Sequence, residues 1–421
     1  MKLCDPFSAS QWRNFALVVL LVLGQAFLTA CARPVAGRTK VAASAAGQRD
    51  ELLARLPAVF TFAEAQYQGL LTSIQAKTNL PRSFIHGKLK LVKPDDWTSG
   101  FFPGSLWYLY EYSGDAKWQT AASNYTARLE NIQNFRGHHD VGFMLGCSYG
   151  NGYRLTHDPA YRAVLLQGAR SLSSRFSPQV GLIRSWDFGK WKYPVIMDNM
   201  MNLELLMWAA RESGESGFSN IATQHADKTL LNHFRTDGSS FHLVDYNPTN
   251  GTVTRKQTVQ GFADTSAWAR GQAWGLYGFT MMYRETRRPE YLAQAGRVAR
   301  FIMNHPRLPA DKIPYWDFDA TNLPSAPRDA SAAAIMASAL LELSGYVEAD
   351  FARECRQLAR QQLLSLSKPP YLAKRGKNGG FLLQHSVGHM PEKSEIDVPL
   401  NYADYYFLEA LLRYRHLATP P

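Results

Sequence analysis

A chain of 421 residues with 46% hydrophobic side chains has the length and apolar content for one large domain or two ordinary ones. Its net charge of +11 suits an acidic polymer or its fragments, but Lys and Arg are scattered, without the block that marks nucleic-acid binding, so no nucleic-acid partner is expected. The sequence has no CxxC or HExxH spacing, no GxGxxG or GxxxxGK loop and no GxSxG elbow, which argues against a metal centre, a nucleotide cofactor and a serine hydrolase.

The N-terminus reads as an export signal. Lys2 and Arg13 precede an apolar run from Phe15 to Leu28, and Leu28-Thr29-Ala30-Cys31 resembles the bacterial lipobox. This predicts a signal over residues 1–31, a lipid anchor to a bacterial membrane at Cys31, a flexible tether over 32–50 and a catalytic domain over 51–421. Ordinary cleavage near Ala30 is the alternative. Cys147 and Cys355 are then the two cysteines of the domain, free to pair or to remain thiols.

The body is helical by pattern, because apolar residues recur at three- and four-residue spacing. Helices are expected near 57–78, 101–113, 115–134, 141–156, 158–175, 199–213, 217–236, 266–286, 288–305, 328–345, 348–367 and 402–417. Every second one opens on a turn residue and an aromatic: Asp115…Trp118, Asp158…Tyr161, Glu215…Phe218, Arg288…Tyr291 and Ala349…Phe351. These segments carry more charge and read as an outer layer, whereas the helices before them are richer in Trp, Met and Tyr and read as inner. Helical hairpins repeated about six times predict an all-α (α/α)6 barrel. If the inner helices run parallel, the polar motifs at 96–101, 138–143, 197–202, 261–274, 328–332 and 401–406 meet at one mouth.

Within that mouth Asp140 and Asp198 are the candidate acid/base pair. Each precedes a strongly apolar helix, and two carboxylates in an aromatic pit push their pKa values apart. Asp at a helix start is also an ordinary cap, which is the preferred reading for Asp264, Asp329 and Asp404. Trp268, Arg270 and Trp274 offer flat apolar faces and a guanidinium fork suited to an acidic sugar. His242 and Gln260 lie in loops near this stretch, and Trp186 and Trp191 precede Asp198 as a roof for the pit or a cover for the barrel end.

Several stretches resemble the unsaturated glucuronyl hydrolases, glycoside hydrolase family 88. They are Trp-Thr-Ser-Gly-Phe-Phe-Pro-Gly (97–104), His-Asp-Val-Gly-Phe (139–143), Asp-Asn-Met-Met-Asn (198–202), the run from Gln260 to Trp274 with its Trp-Ala-Arg-Gly-Gln-Ala-Trp core, and Asp-Tyr-Tyr-Phe-Leu-Glu-Ala-Leu (404–411). The resemblance implies the (α/α)6 fold and removal of a 4,5-unsaturated uronic acid from lyase-generated oligosaccharides by hydration. It implies Asp198 as general acid/base, Asp140 as the carboxylate that orients the ring and tunes its partner, and no cofactor. Trp97, Phe101, His242, Gln260, Trp268, Arg270 and Trp274 are the implied sugar-binding residues. Unsaturated rhamnogalacturonyl hydrolysis on pectin fragments and non-catalytic glycan binding at the cell surface are the competing expectations.

Overall fold

The computed structural model describes residues 50–418. Among them are twelve α-helices, α1 to α12, with short hairpins between, the first two formed by β1 (Leu80–Ile85) with β2 (Lys88–Val92) and by β3 (Phe176–Ser177) with β4 (Leu182–Ile183). The inner helices are α2 (Phe101–Ser113), a π-helical stretch Gly142–Gly150 running into α4 (Asn151–Thr156), α6 (Asn199–Ser213), α8 (Ala269–Thr286), α10 (Ala330–Leu343) and α12 (Asn401–Ala418). Each packs on the next, and α12 closes on α2. The outer helices are α1 (Glu51–Ile74), α3 (Ala116–Ala127), α5 (Pro159–Ser173), α7 (Ser216–Asn232), α9 (Pro289–Asn304) and α11 (Ala349–Leu366), each laid against an inner neighbour. This is an (α/α)6 barrel.

The sequence explains both layers. Every residue of α10 except Glu342 is buried, as is α8 from Ala269 to Met282, and a helix apolar all round must be enclosed. The outer helices begin where turn chemistry starts them. Asp115 and Asp158 accept from the N–H groups of Lys117 and Ala160, and Glu348 from those of Asp350 and Phe351. Their first aromatics Trp118, Phe218, Tyr291 and Phe351 point into the core. Gly114 and Gly214 end α2 and α6 in the left-handed region, at φ 69° and 76°.

The C-terminal ends of the inner helices are tied by charge. Glu342 accepts from Arg284 (3.0 Å) and Arg413 (2.6 Å), while Glu409 accepts from Tyr108 (3.1 Å), Tyr277 (3.0 Å) and Ser338 (2.5 Å). A cavity of about 560 Å³ lies here, behind Phe143 and Tyr406.

Four features depart from the sequence expectations. The helix expected over 115–134 ends at Ala127, and Glu130–Asn134 is a separate 3-10 turn. The helix over 141–156 is π-helical for most of its length, and the first helix starts at Glu51, not 57. Asp50, expected at the end of the tether, is the N-cap of α1 and holds Tyr414, so it belongs to the barrel. The expected signal, with Cys31, and the rest of the expected tether lie outside the described residues, among which no helix is long and apolar enough to cross a membrane. Cys147 and Cys355 are both free and buried.

Candidate active site

The N-terminal ends of the inner helices carry the polar motifs, and a small sheet brings three of the candidate residues, Asp198, His242 and Gln260, together. Strand β5 (Pro194–Ile196) pairs antiparallel with β6 (Leu243–Tyr246), and β6 with β7 (Val253–Gln257). The chain leaves β5 directly into Asp198, His242 directly precedes β6, and Gln260 follows β7. The N–H of Met197 donates to the carbonyl of His242 at 3.0 Å, which fixes these two segments side by side.

Asp198 occupies the N-cap position of α6, yet its side chain makes no cap bond. Its Oδ2 has no hydrogen-bond partner and lies 3.7 Å from His242 Nε2. The tautomer of His242 follows from its other nitrogen, which accepts from the N–H groups of Val259 (3.1 Å) and Gln260 (3.2 Å). Nε2 therefore carries the proton and faces the carboxyl. Burial holds His242 well below the usual histidine range, aided by the Arg270 charge, so it is a neutral donor. Burial pushes Asp198 up to about 7; Arg270 works against this and Asp140 with it, while the Trp274 indole N–H faces the same carboxyl.

Asp140 has the opposite environment. Burial would raise it, but His139 and His138 outweigh burial and hold it below the usual carboxylate range. His138 Nδ1 sits 3.0 Å from Oδ2, with Nε2 on the Asp95 carbonyl at 3.1 Å, and its pKa is raised; its own burial opposes this, and Asp140 prevails. His139 is buried and pushed down to about 4. Asn202 ties together the two segments that carry these carboxylates. Its Oδ1 accepts from the Phe143 N–H (2.8 Å), so Nδ2 donates to His139 Nδ1 (3.3 Å) and to the Asp198 carbonyl (3.3 Å). His139 therefore points an Nε2–H at Asp140 Oδ1, at 3.4 Å.

Aromatic rings wall the site. Trp97 is half-buried and packs on Phe143 and Tyr402, and Trp268 lies 4.4 Å from the His242 ring. Trp274 is fully buried against Phe143 and Tyr406. Phe101 is also fully buried; it backs Trp97 from below and does not face the mouth. Trp186 reaches the mouth through a bridge to His138, with Trp191 edge-on to it.

Arg270 is placed differently from the fork imagined for a sugar carboxylate. It is 1% exposed, and its terminal nitrogens are committed to Asp329 (3.2 Å), the Val387 carbonyl (2.5 Å) and the Gly388 carbonyl (2.8 Å). It stacks between Trp268 and Tyr402, and only Nε lacks a partner. Gln260 Nε2 donates to the same Gly388 carbonyl at 2.9 Å. The carbonyls come from a hairpin, β8 (Ser386–His389) and β9 (Ser394–Val398), which the helix reading overlooked.

Asp264, Asp329 and Asp404 have structural duties. Asp264 accepts from the N–H of Thr258, Asp329 caps α10, and Asp404 accepts from the N–H groups of Leu382 and Leu383. Five of the 21 buried polar side-chain atoms without a partner among the described residues belong to this pit: Asp198 Oδ2, His242 Nε2, Trp274 Nε1, Arg270 Nε and Tyr402 Oη. Unpaired groups are rare in protein interiors, and a cluster of them in an aromatic pit marks a place for a polar ligand. A buried acid beside a charged carboxylate can hold and deliver a proton there. Among the described residues no cluster of His, Cys, Asp and Glu has metal-ligand geometry.

The model of glycosyl hydrolase family 88 matches residues 76–408. An unsaturated glucuronyl hydrolase from Formosa agariphila is 45% identical over 84% of this chain and 89% of its own. An unsaturated chondroitin disaccharide hydrolase from Streptococcus agalactiae is 33% identical over 77% of this chain and 83% of its own. The crystal structure of an unsaturated glucuronyl hydrolase specific for heparin superposes with a TM-score of 0.83 at 49% identity, covering 86% of this chain and 97% of that one. With its barrel, its carboxylate pair and this run of matched sequence, the chain belongs to glycoside hydrolase family 88.

Proposed function

We propose that this protein removes a 4,5-unsaturated uronic acid from the non-reducing end of lyase-generated oligosaccharides of the glycosaminoglycan type. The observation that carries the reading is the pairing of a buried carboxyl raised to about 7 with a second carboxylate held charged by two histidines. The neutral Asp198 acid gives its proton to C4 of the enol ether, and water adds its oxygen to C5. The released proton returns to the Asp198 carboxylate, so the net change is addition of one water. The C5 hemiketal then opens its ring, leaving a ketone at C5 and a hemiacetal at C1 that expels the remaining sugar. Asp140 orients the ring and keeps the Asp198 proton in place by its charge. Trp97 and Trp268 supply apolar faces, Trp274 acts from beneath through its indole N–H toward Asp198, and the proton on His242 Nε2 is available to a sugar oxygen. Phe101 and Arg270 act from beneath, one by packing and one by charge. Because the anomeric carbon is not attacked, the carboxylate spacing that separates retaining from inverting enzymes does not govern the outcome.

The same proposal places the enzyme outside the cytoplasm, held to a bacterial membrane by lipid on Cys31, a reading supported by the lipobox-like Leu28–Cys31. The test is loss of the ultraviolet absorbance of unsaturated disaccharides from chondroitin, heparin and rhamnogalacturonan. Turnover of the first two, abolished in Asp198→Asn with the fold retained, is expected. Turnover of the rhamnogalacturonan disaccharide alone, or near-normal turnover by Asp198→Asn, would discard it.

A further inference from the structure

A groove of about 410 Å³ runs between α1, the turn joining β1 (Leu80–Ile85) to β2 (Lys88–Val92), and the loop after α11. Gly69 and Ser73 line one wall, Phe84 and Leu89 the other, and Gly379 and Gly380 the end. None of these residues belongs to the site around Asp198. No carboxylate lines the groove, while Lys88, Lys374, Arg375 and Lys377, each within two residues of the lining Gly87 or Gly376 along the chain, stand exposed, none ion-paired among the described residues. Their neighbours behave otherwise: Arg82 and Lys90, on the same hairpin, both pair with Glu395.

The basic loop is held firmly. Gln66 donates to the carbonyls of Lys377 and Phe381, both at 3.0 Å, and accepts from the Gly376 N–H at 2.7 Å. Its three cations are therefore displayed at a fixed place. Gly69 is a second, independent observation. It sits inside α1 toward its C-terminal end, where glycine still weakens a helix, and a Cβ there would meet nothing within 4 Å. Packing does not require this glycine; keeping the floor of the groove low does.

We propose that this groove binds a linear anionic polysaccharide, sulfated or carboxylated, independently of the site that takes a chain end. The sugar rings lie along the glycine floor and the Phe84 edge, and the four cations meet the acid groups. A polyanion fits better than a single small anion because the four cations come from two separate segments, the start of β2 and the loop after α11, and none of them enters the groove lining to converge on one point. The proposal does not depend on the reaction at Asp198.

The test uses the full chain and a heparin-derived oligosaccharide with saturated ends, titrated at several salt concentrations. Replacing Lys88, Lys374, Arg375 and Lys377 together by Ser should weaken binding at least tenfold and flatten its salt dependence, leaving turnover of an unsaturated disaccharide unchanged. Gly69→Leu, which fills the trough without altering charge, should also weaken binding. Unaltered affinity in the fourfold variant overturns the proposal, and so does unaltered affinity in Gly69→Leu, since diffuse charge would then suffice. Displacement by the unsaturated disaccharide assigns the binding to the chain-end site. Loss confined to anionic phospholipid vesicles assigns the patch to a membrane surface; both outcomes overturn it as well.

Discussion

Asp198→Asn should stabilise the protein at alkaline pH as well as silence it. Burial raises the Asp198 carboxyl from 3.8 to about 7, so the folded state keeps a proton that the unfolded chain gives up. Between these two values folding takes up one proton, and stability falls as pH rises, by about 1.4 kcal/mol per unit. Over roughly three units the penalty reaches about 4 kcal/mol, complete above pH 7 and absent below pH 4. An amide cannot ionise and does not carry this slope. Its own burial cost, about 1–3 kcal/mol, is the same at every pH. Urea unfolding of both proteins at half-unit steps from pH 4 to 8 gives the difference directly. The difference should climb by about 4 kcal/mol in favour of the variant and level off above pH 7. A difference that stays flat across this range would refute a raised pKa at Asp198, and with it the reservoir for the C4 proton.

Asp140→Asn removes a charge that helps to raise Asp198, so the alkaline fall of kcat should move to lower pH while kcat itself drops; a pH–rate profile with an unmoved alkaline limb would separate the two carboxylates. A Cβ on Gly142 would lie 2.6 Å from the Asn202 Cα and 2.8 Å from its Oδ1, so Gly142→Ala should cost about 1–3 kcal/mol in urea unfolding. It should also lower turnover by displacing the amide that holds the His139 ring and the Asp198 carbonyl. Gly146→Ala is the control, because a Cβ there meets nothing within 4 Å and stability should hold or rise.

The barrel was legible because its inner helices are apolar around their whole circumference and its outer helices start on caps. The candidate pair, Asp140 and Asp198, stood out in the sequence by the polar groups set beside each ahead of an apolar helix. Asp329 and Asp404 stand in the same kind of sequence as Asp198, yet theirs precedes a duty to backbone N–H groups. The hairpins were not legible. Strand β6 has four consecutive buried residues and β5 only three, so neither shows the alternation that announces a strand. That sheet is what sets His242 beside Asp198, which is why His242 could be matched only loosely by spacing. The fate of Arg270 was equally hidden, since the carbonyl it grips is 117 residues downstream. The π-helical turn after Asp140 has the same three- and four-residue apolar spacing as an ordinary helix, and only packing against Asn202 distinguishes it.

The buried guanidinium then explains how one side chain type supplies both an acid and a charge within one pit. A free Arg270 facing Asp198 would pair with it, lower its pKa and remove the proton the reaction needs. Two backbone carbonyls and Asp329 hold the fork elsewhere, and the Asp329 carboxylate offsets much of its field. Burial therefore wins at Asp198, although a cation lies nearby. Asp140 meets its histidines directly, at 3.0 and 3.4 Å, and there pairing wins over burial. The two pKa values diverge because one carboxyl is denied its counter-ion and the other is given two imidazoles.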